Sequence, residues 1–230
     1  MIVIRSVGER TVPVVKKIYP EAYVLENIFP FREALRQGFE TALKSKDEFV
    51  TFIDGDVIPD TDMVEVLEGI LKENKEAYAV APKMKDYLTG KKRVVGVHSY
   101  RIEYLPDVLK ILKNITKNNK RPESSIRFNY SRKRLKTDFV LGEHGKEQYF
   151  YDIYRTVLFW SKKSADNKKD YFKYWDSKEN LDFKVAKQAW LDGKKIKLSI
   201  CDASIKFDIQ EVFDKLEIQE KEKIDLNKIA

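Results

Sequence analysis

Residues 49–62 read FVTFIDGDVIPDTD, and the fold turns on how this stretch is read. Phe49, Val50, Thr51, Phe52 and Ile53 form a short apolar, β-branched and aromatic run. Such a run suits a strand covered on both faces, as in a parallel sheet under helices. It stops at Asp54-Gly55-Asp56. In an extended backbone alternate side chains point the same way, so Asp54 and Asp56 can converge, and Gly55 allows a turn or a close approach. Carboxylates at the carboxyl end of a central strand stand where open α/β sheets bind ligands. Two like charges held together call for a counter-charge, and a hard divalent cation with oxygen ligands fits that need. Pro59 and Asp60 then read as the opening of a helix.

The flanking sequence repeats strand and helix. Ile2-Val3-Ile4 is a first strand, residues 12–18 a helix, and residues 22–25 a second strand. Residues 30–44 form an amphipathic helix with Phe31, Ala34, Leu35, Gly38, Phe39, Ala42 and Leu43 on its apolar face. Residues 61–72 read as a helix and residues 78–82 as a strand. This alternation is the signature of a parallel sheet. The expected fold is α/β, a mainly parallel central sheet flanked by helices in a single domain. Residues 1–83 form its ligand-binding half, 84–207 a second half, and 208–230 a charged helical tail whose end is exposed.

A strand ending in Asp-x-Asp, followed by Pro and an acidic helix start, resembles the metal and nucleotide-sugar motif of GT-A-type glycosyltransferases, family 2 in particular. The resemblance is concentrated in residues 1–83. It implies a Rossmann-like GT-A fold and transfer of a sugar from a nucleotide-sugar, with UDP or GDP as the nucleotide, to a glycan or lipid-linked acceptor. Asp54 and Asp56 would bind Mn²⁺ or Mg²⁺, and Asp54 and Gly55 would touch the donor. Arg5, Ser6 and Arg10 follow the first strand, where the nucleotide contacts lie, and Arg forks match phosphate oxygens. Arg10 can equally decorate a helix start. Glu26 takes the place of the acidic residue that meets the base. Arg32 and Arg36 are candidates for the diphosphate, or for a solvated helix face. His144, in the polar turn Gly142-Glu143-His144-Gly145, is the candidate third metal ligand, with His98 as its competitor. Glu179-Asn180 stands where the resemblance places a Glu-Asp pair. Glu179 and Asp182 are therefore the candidates for a general base acting on the acceptor hydroxyl, with Asp176 behind them.

The chain has 230 residues, a formal net charge of +7 and a pI of about 9.1, so anionic partners are favoured. Residues 110–136 are strongly basic with Phe128 and Tyr130 interleaved. They read as a solvated insertion or as a surface for an acidic acceptor or an anionic membrane. No nucleic-acid module is recognisable. The lone Cys201 excludes an internal disulfide and reads as a small buried hydrophobe. Without a long apolar run or a secretory leader, a cytoplasmic protein is expected, with a membrane's inner face as one place for it. Two further readings are a sugar nucleotidyltransferase and a non-catalytic carbohydrate- or anion-binding module. The first needs more glycines in its initial loop than Gly8 alone supplies.

Overall fold

The computed structural model describes residues 1–115, 122–163, 168–193, 195 and 207–228. Cys201, the strand expected after Gly193 and three cations of the basic segment (Lys117, Lys120, Arg121) lie outside the described residues.

The core is one eight-stranded sheet in the order β2-β1-β3-β7-β5-β8-β4, with β6 paired to β5. The strands are β1 (Ile2–Ser6), β2 (Tyr23–Glu26), β3 (Phe49–Asp54), β4 (Val57–Pro59), β5 (Ala77–Asp86), β6 (Lys92–Val94), β7 (Val97–Arg101) and β8 (Lys133–His144). β1 is parallel to β2 and to β3, β7 is antiparallel to both β3 and β5, and β8 is parallel to β5. So β2, β1, β3, β5 and β8 all point one way, and β7, β4 and β6 run against them. The mainly parallel α/β sheet expected from the sequence is thus present.

The two faces of the sheet are covered differently. Helices α1 (Val12–Ile18) and α3 (Met63–Glu73) pack on one face through Val15, Met63, Leu67 and Leu71. Helices α2 (Phe31–Ala42), α4 (Leu105–Asn114) and α5 (Pro122–Asn129) cover the other through Leu35, Phe39, Leu105, Val108 and Ile126. A third apolar cluster is built by α6 (Phe150–Lys163), α7 (Lys168–Asp176), α8 (Leu181–Gly193) and α9 (Gln210–Leu216), around Trp175 and Trp190.

Three local expectations change. Pro59 does not open a helix; it ends β4, opposite Gly142, and α3 starts at Met63. β4 is the last strand of the sheet, and an edge strand tolerates a residue without an N–H. The strand expected over residues 94–100 is broken at Gly96, whose φ of +73° suits glycine. A Cβ there would also lie 2.5 Å from Val57 Cγ2.

The tail leaves its helix after Leu216; beyond it Glu222, Lys223, Asp225 and Asn227 are exposed, while the backbone is tied to the body. Glu220 accepts hydrogen bonds from the amides of Phe150 (2.7 Å) and Tyr151 (2.9 Å), which open α6. A carboxylate there satisfies two orphan donors and meets the positive end of the helix. Lys221 pairs with Asp182, Arg10 Nε donates to the Glu222 carbonyl (2.5 Å) and Lys17 Nζ to the Leu226 carbonyl (3.1 Å).

Close helix–sheet packing beside the candidate site depends on Gly38. A Cβ at that position would stand 2.4 Å from the Phe52 ring and 3.3 Å from Leu25 Cδ1, both buried in β3 and β2. Overpacking of this kind costs about 1–3 kcal/mol. Gly38→Ala is therefore expected to lower the denaturant midpoint by that amount with the slope unchanged, as measured by equilibrium unfolding. An unchanged midpoint would contradict the packing described.

Candidate functional site

The Asp54-Gly55-Asp56 turn sits at the carboxyl ends of β1 and β3 and is pinned through its backbone. Asp54 N donates to the Gly96 carbonyl (2.7 Å), Gly55 N to the Arg5 carbonyl (2.8 Å), and Gly145 N to the Asp56 carbonyl (2.8 Å). Thr11 Oγ1 donates to the Gly55 carbonyl. Gly55 is required by its neighbour Glu9: a Cβ would fall 2.4 Å from Glu9 Oε2 and 3.1 Å from Val12 Cγ2. Glu9 in turn accepts from Ser6 Oγ (2.7 Å) and Val7 N (2.7 Å), so the loop after β1 already encloses a carboxylate.

Each aspartate of the turn meets a cation of the protein. Asp54 Oδ1 lies 2.7 Å from Arg5 Nη2, and its side chain keeps 31% exposure. Arg5 is nearly closed off at 4% and reaches Glu123 Oε1 of α5 at 2.8 Å with its other arm. Its guanidinium also lies over the Phe31 ring at 4.8 Å. Removing one member of a buried ionic group costs about 3–5 kcal/mol, because the partners stay buried and uncompensated. Burial pushes the Asp54 carboxyl up, against the pull of Arg5. Asp56 is pushed up by burial as well, but the His144 ring outweighs this and holds it below the usual range.

His144 is clamped between two acids. Nε2 is 3.2 Å from Asp56 Oδ2 and Nδ1 is 3.0 Å from Asp86 Oδ2. Burial favours the neutral ring, yet these carboxylates raise its pKa to about 10. Asp86, at the end of β5, is 1% exposed and also holds Arg93 and the Thr89 amide (2.9 Å) and hydroxyl (2.6 Å). Its acidity is raised to a pKa of about 2: burial works the other way, and His144 and Arg93 win. His98 is the opposite case. It lies under α5, where Nε2 faces Arg134 Nη1 at 2.8 Å and must accept, while Nδ1 points at Glu123 Oε1 at 3.5 Å. Burial pushes it down to about 4, against the attraction of Glu123.

Asp54 and Asp56 are the residues that would hold a divalent cation at this turn. Among the described residues, no group of three or more His, Cys, Asp or Glu is placed to hold a metal ion. Both His144 nitrogens are engaged by carboxylates, so that ring offers no lone pair to a metal. Asp56 Oδ1, however, is buried without a hydrogen-bond partner, and Asp54 opens to solvent beside it in sequence. One or two carboxylates completed by water and substrate phosphate oxygens suit Mg²⁺ or Mn²⁺.

The other expected residues are dispersed. Ser6 belongs to the Glu9 loop, and Glu26 lies exposed at the end of β2, in register with Ser6. Arg10 is held by Glu147 Oε2 (2.9 Å) and the tail. Arg32 caps the end of α4, donating to the Leu112 and Lys113 carbonyls, each at 3.0 Å. Arg36 pairs with Glu33 and Glu40 along the outer face of α2. Asn180, where the family pattern has an acid, caps α8: its Oδ1 accepts the Asp182 amide at 2.9 Å. Asp182 is buried against Lys221 and accepts the Tyr87 hydroxyl at 3.0 Å, and Tyr87 directly follows Asp86. Glu179 is exposed on the loop before α8. Glu9, Asp86, Arg93 and Glu123 were not singled out from the sequence. Asp86 alone carried a readable signal, as an acid closing an apolar strand.

No family model matches the chain, and no curated protein matches it. Solved structures share part of its architecture. The bifunctional IspDF of Campylobacter jejuni gives a TM-score of 0.42 at 12% identity, over 60% of this chain and 49% of that one, so the match spans about half of that enzyme. The 4-diphosphocytidyl-2C-methyl-D-erythritol synthase of Anaerococcus prevotii gives 0.45 at 11% identity, over 64% and 90%. The glucosyl-3-phosphoglycerate synthase of Mycobacterium tuberculosis, seen with Mn²⁺, UDP-glucose and phosphoglyceric acid, gives 0.41 at 14% identity, over 62% and 70%. At these overlaps the likeness assigns no activity, which must come from the side chains.

The chain's only two histidines are predicted to titrate outside the neutral range, one on each side. A folded-state pKa of about 4 for His98, below the free value near 6.5, gives stability that is full above about pH 6.5 and lost as pH falls toward 4. A folded-state pKa of about 10 for His144 gives stability that is full below about pH 6.5 and lost as pH rises through 10. Imidazole NMR titration, with His98→Asn for assignment, should show no inflection between pH 6 and 8. An ordinary midpoint near 6.5 for either ring would contradict the contacts described.

Proposed function

We propose that the protein is a metal-dependent glycosyltransferase that uses a nucleotide-sugar. The observation that carries this reading is the pinned Asp54-Gly55-Asp56 turn at the strand ends, with the buried, partnerless Asp56 Oδ1. Asp54 and Asp56 would hold Mn²⁺ or Mg²⁺, whose charge offsets that building on a leaving nucleoside diphosphate. Arg5 fixes the Asp54 carboxylate, and His144, held by Asp86, fixes Asp56, so the acids are oriented before any ligand arrives. Both are positioning residues. Glu26 ends β2, and Arg10, on the loop between β1 and α1, meets a phosphate only by leaving Glu147. On the acceptor side Glu179 is the exposed carboxylate that takes the hydroxyl proton. Asp182, committed to Lys221 and Tyr87, is assigned to holding that loop.

The nucleotidyltransferase alternative finds less support. Its first loop would have to wrap a triphosphate, and here that loop is closed on the Glu9 carboxylate.

Melting temperature against UDP, GDP and their sugars, with and without Mn²⁺, tests the donor site, because binding to the folded state stabilises it. One nucleotide is expected to raise the melting temperature only with metal, and Asp56→Asn to abolish the shift. Glu179→Gln is expected to lower release of nucleoside diphosphate by about 10²–10⁴-fold while keeping the shift. No shift with any nucleotide, or a shift indifferent to Asp56, would sink the reading. Pyrophosphate release from a nucleoside triphosphate would transfer it to the alternative.

A further inference from the structure

The positive charge of this protein is localised. Residues 105–140 carry ten Lys and Arg against three acids, a net of +7 that equals the net charge of the whole chain, so the remainder is neutral. The described part of this segment forms one layer. Helices α4 and α5 cover the same face of the sheet, with Leu105, Val108, Leu112 and Ile126 turned inward. Lys110 and Lys113 of α4, and Arg132 and Lys133 just after α5, are turned to solvent. Arg132 lies over the Tyr104 ring at 4.0 Å, which ties the end of α5 to the start of α4.

A second observation comes from α5 itself. Phe128 is 75% exposed, more than any other large apolar residue among those described. The half-buried Arg127 guanidinium lies over its ring at 4.4 Å, so a cation flanks the most exposed aromatic. This helical layer therefore carries exposed cations together with a protruding aromatic. It matches a flat anionic surface, where cations meet phosphates and an aromatic side chain enters the interface. No helix among the described residues is long and apolar enough to cross a membrane, so such contact is peripheral.

We infer that the outer face of α4 and α5 docks on an anionic lipid bilayer, with Phe128 in the head-group layer and Lys113, Arg127, Arg132 and Lys133 against lipid phosphates. This does not depend on the nucleotide-sugar reading. Each cation close to such a surface is worth about fivefold in partitioning at low salt.

Co-sedimentation of the full chain with vesicles tests it. The protein is expected to pellet with phosphatidylglycerol-rich vesicles, to stay in solution with pure phosphatidylcholine, and to be released by salt. The double variant Arg127→Gln with Arg132→Gln should weaken partitioning by about tenfold or more. Phe128→Ser should weaken it at unchanged net charge, and Lys113→Gln with Lys133→Gln gives an independent check. Unchanged melting temperatures would show that each fold is kept. Equal binding to both lipids, no binding to either, or full binding by the charge variants would overturn the inference. Retention on single-stranded RNA without retention on anionic vesicles would also overturn it and give the face to nucleic acid.

Discussion

Two carboxylates held in one turn at the end of a buried strand must be neutralised, and much of this structure answers that constraint. Arg5 meets Asp54, and His144 meets Asp56. Each of those cations is then balanced by another acid: Glu123 for Arg5, Asp86 for His144. The second-tier acids are held by His98, Arg93 and Thr89. The neutralisation therefore spreads from β3 into α5 on one side and into β5 and β6 on the other. What results is a pair of oriented carboxylates, 31% and 34% exposed, each paired with a cation that is itself largely withdrawn from solvent.

The two histidines show how position decides charge. His98 is buried and His144 keeps only 12% exposure, so both lose solvation that would favour the imidazolium. His144 gains a carboxylate on each nitrogen and stays charged; His98 meets a guanidinium on one nitrogen and stays neutral. The charged ring belongs to the turn. The neutral ring joins α5 to the sheet at a point where a third cation beside Arg5 and Arg134 would be costly.

The fold was legible in the sequence because apolar periodicity and strand–helix alternation are local signals. The elements within residues 2–42 and 49–54 read correctly for that reason, as did Ala34, Leu35, Gly38, Phe39 and Ala42 on the inner face of α2, whereas Phe31 and Leu43 at its two ends are exposed. What failed were the places where a distant partner decides. Pro59 lies in a strand because β8 supplies Gly142 opposite it, eighty-three residues later. Arg32 and Arg36 look alike in sequence, yet one finds the carbonyls ending α4 and the other finds Glu33 and Glu40. Within the site Asp54 and Asp56 could be found from their strand, while Glu123 could not. It stands in the basic segment, and only the packing of Ile126 brings it to Arg5.

The strap formed by residues 217–228 also sets an order of assembly. Its bonds reach back to the beginning of the chain: Arg10 to Glu222 spans 212 residues, and Lys17 to Leu226 spans 209. Contacts so distant close late, because the loop entropy must be met before they form. On a ribosome the sheet of residues 1–144 can be complete while α6 still lacks Glu220 at its first turn and Asp182 still lacks Lys221. The nascent protein would thus hold an assembled Asp54-Gly55-Asp56 turn beside an unfastened helical layer. Residues 217–228, made well after the sheet, would lock the two together.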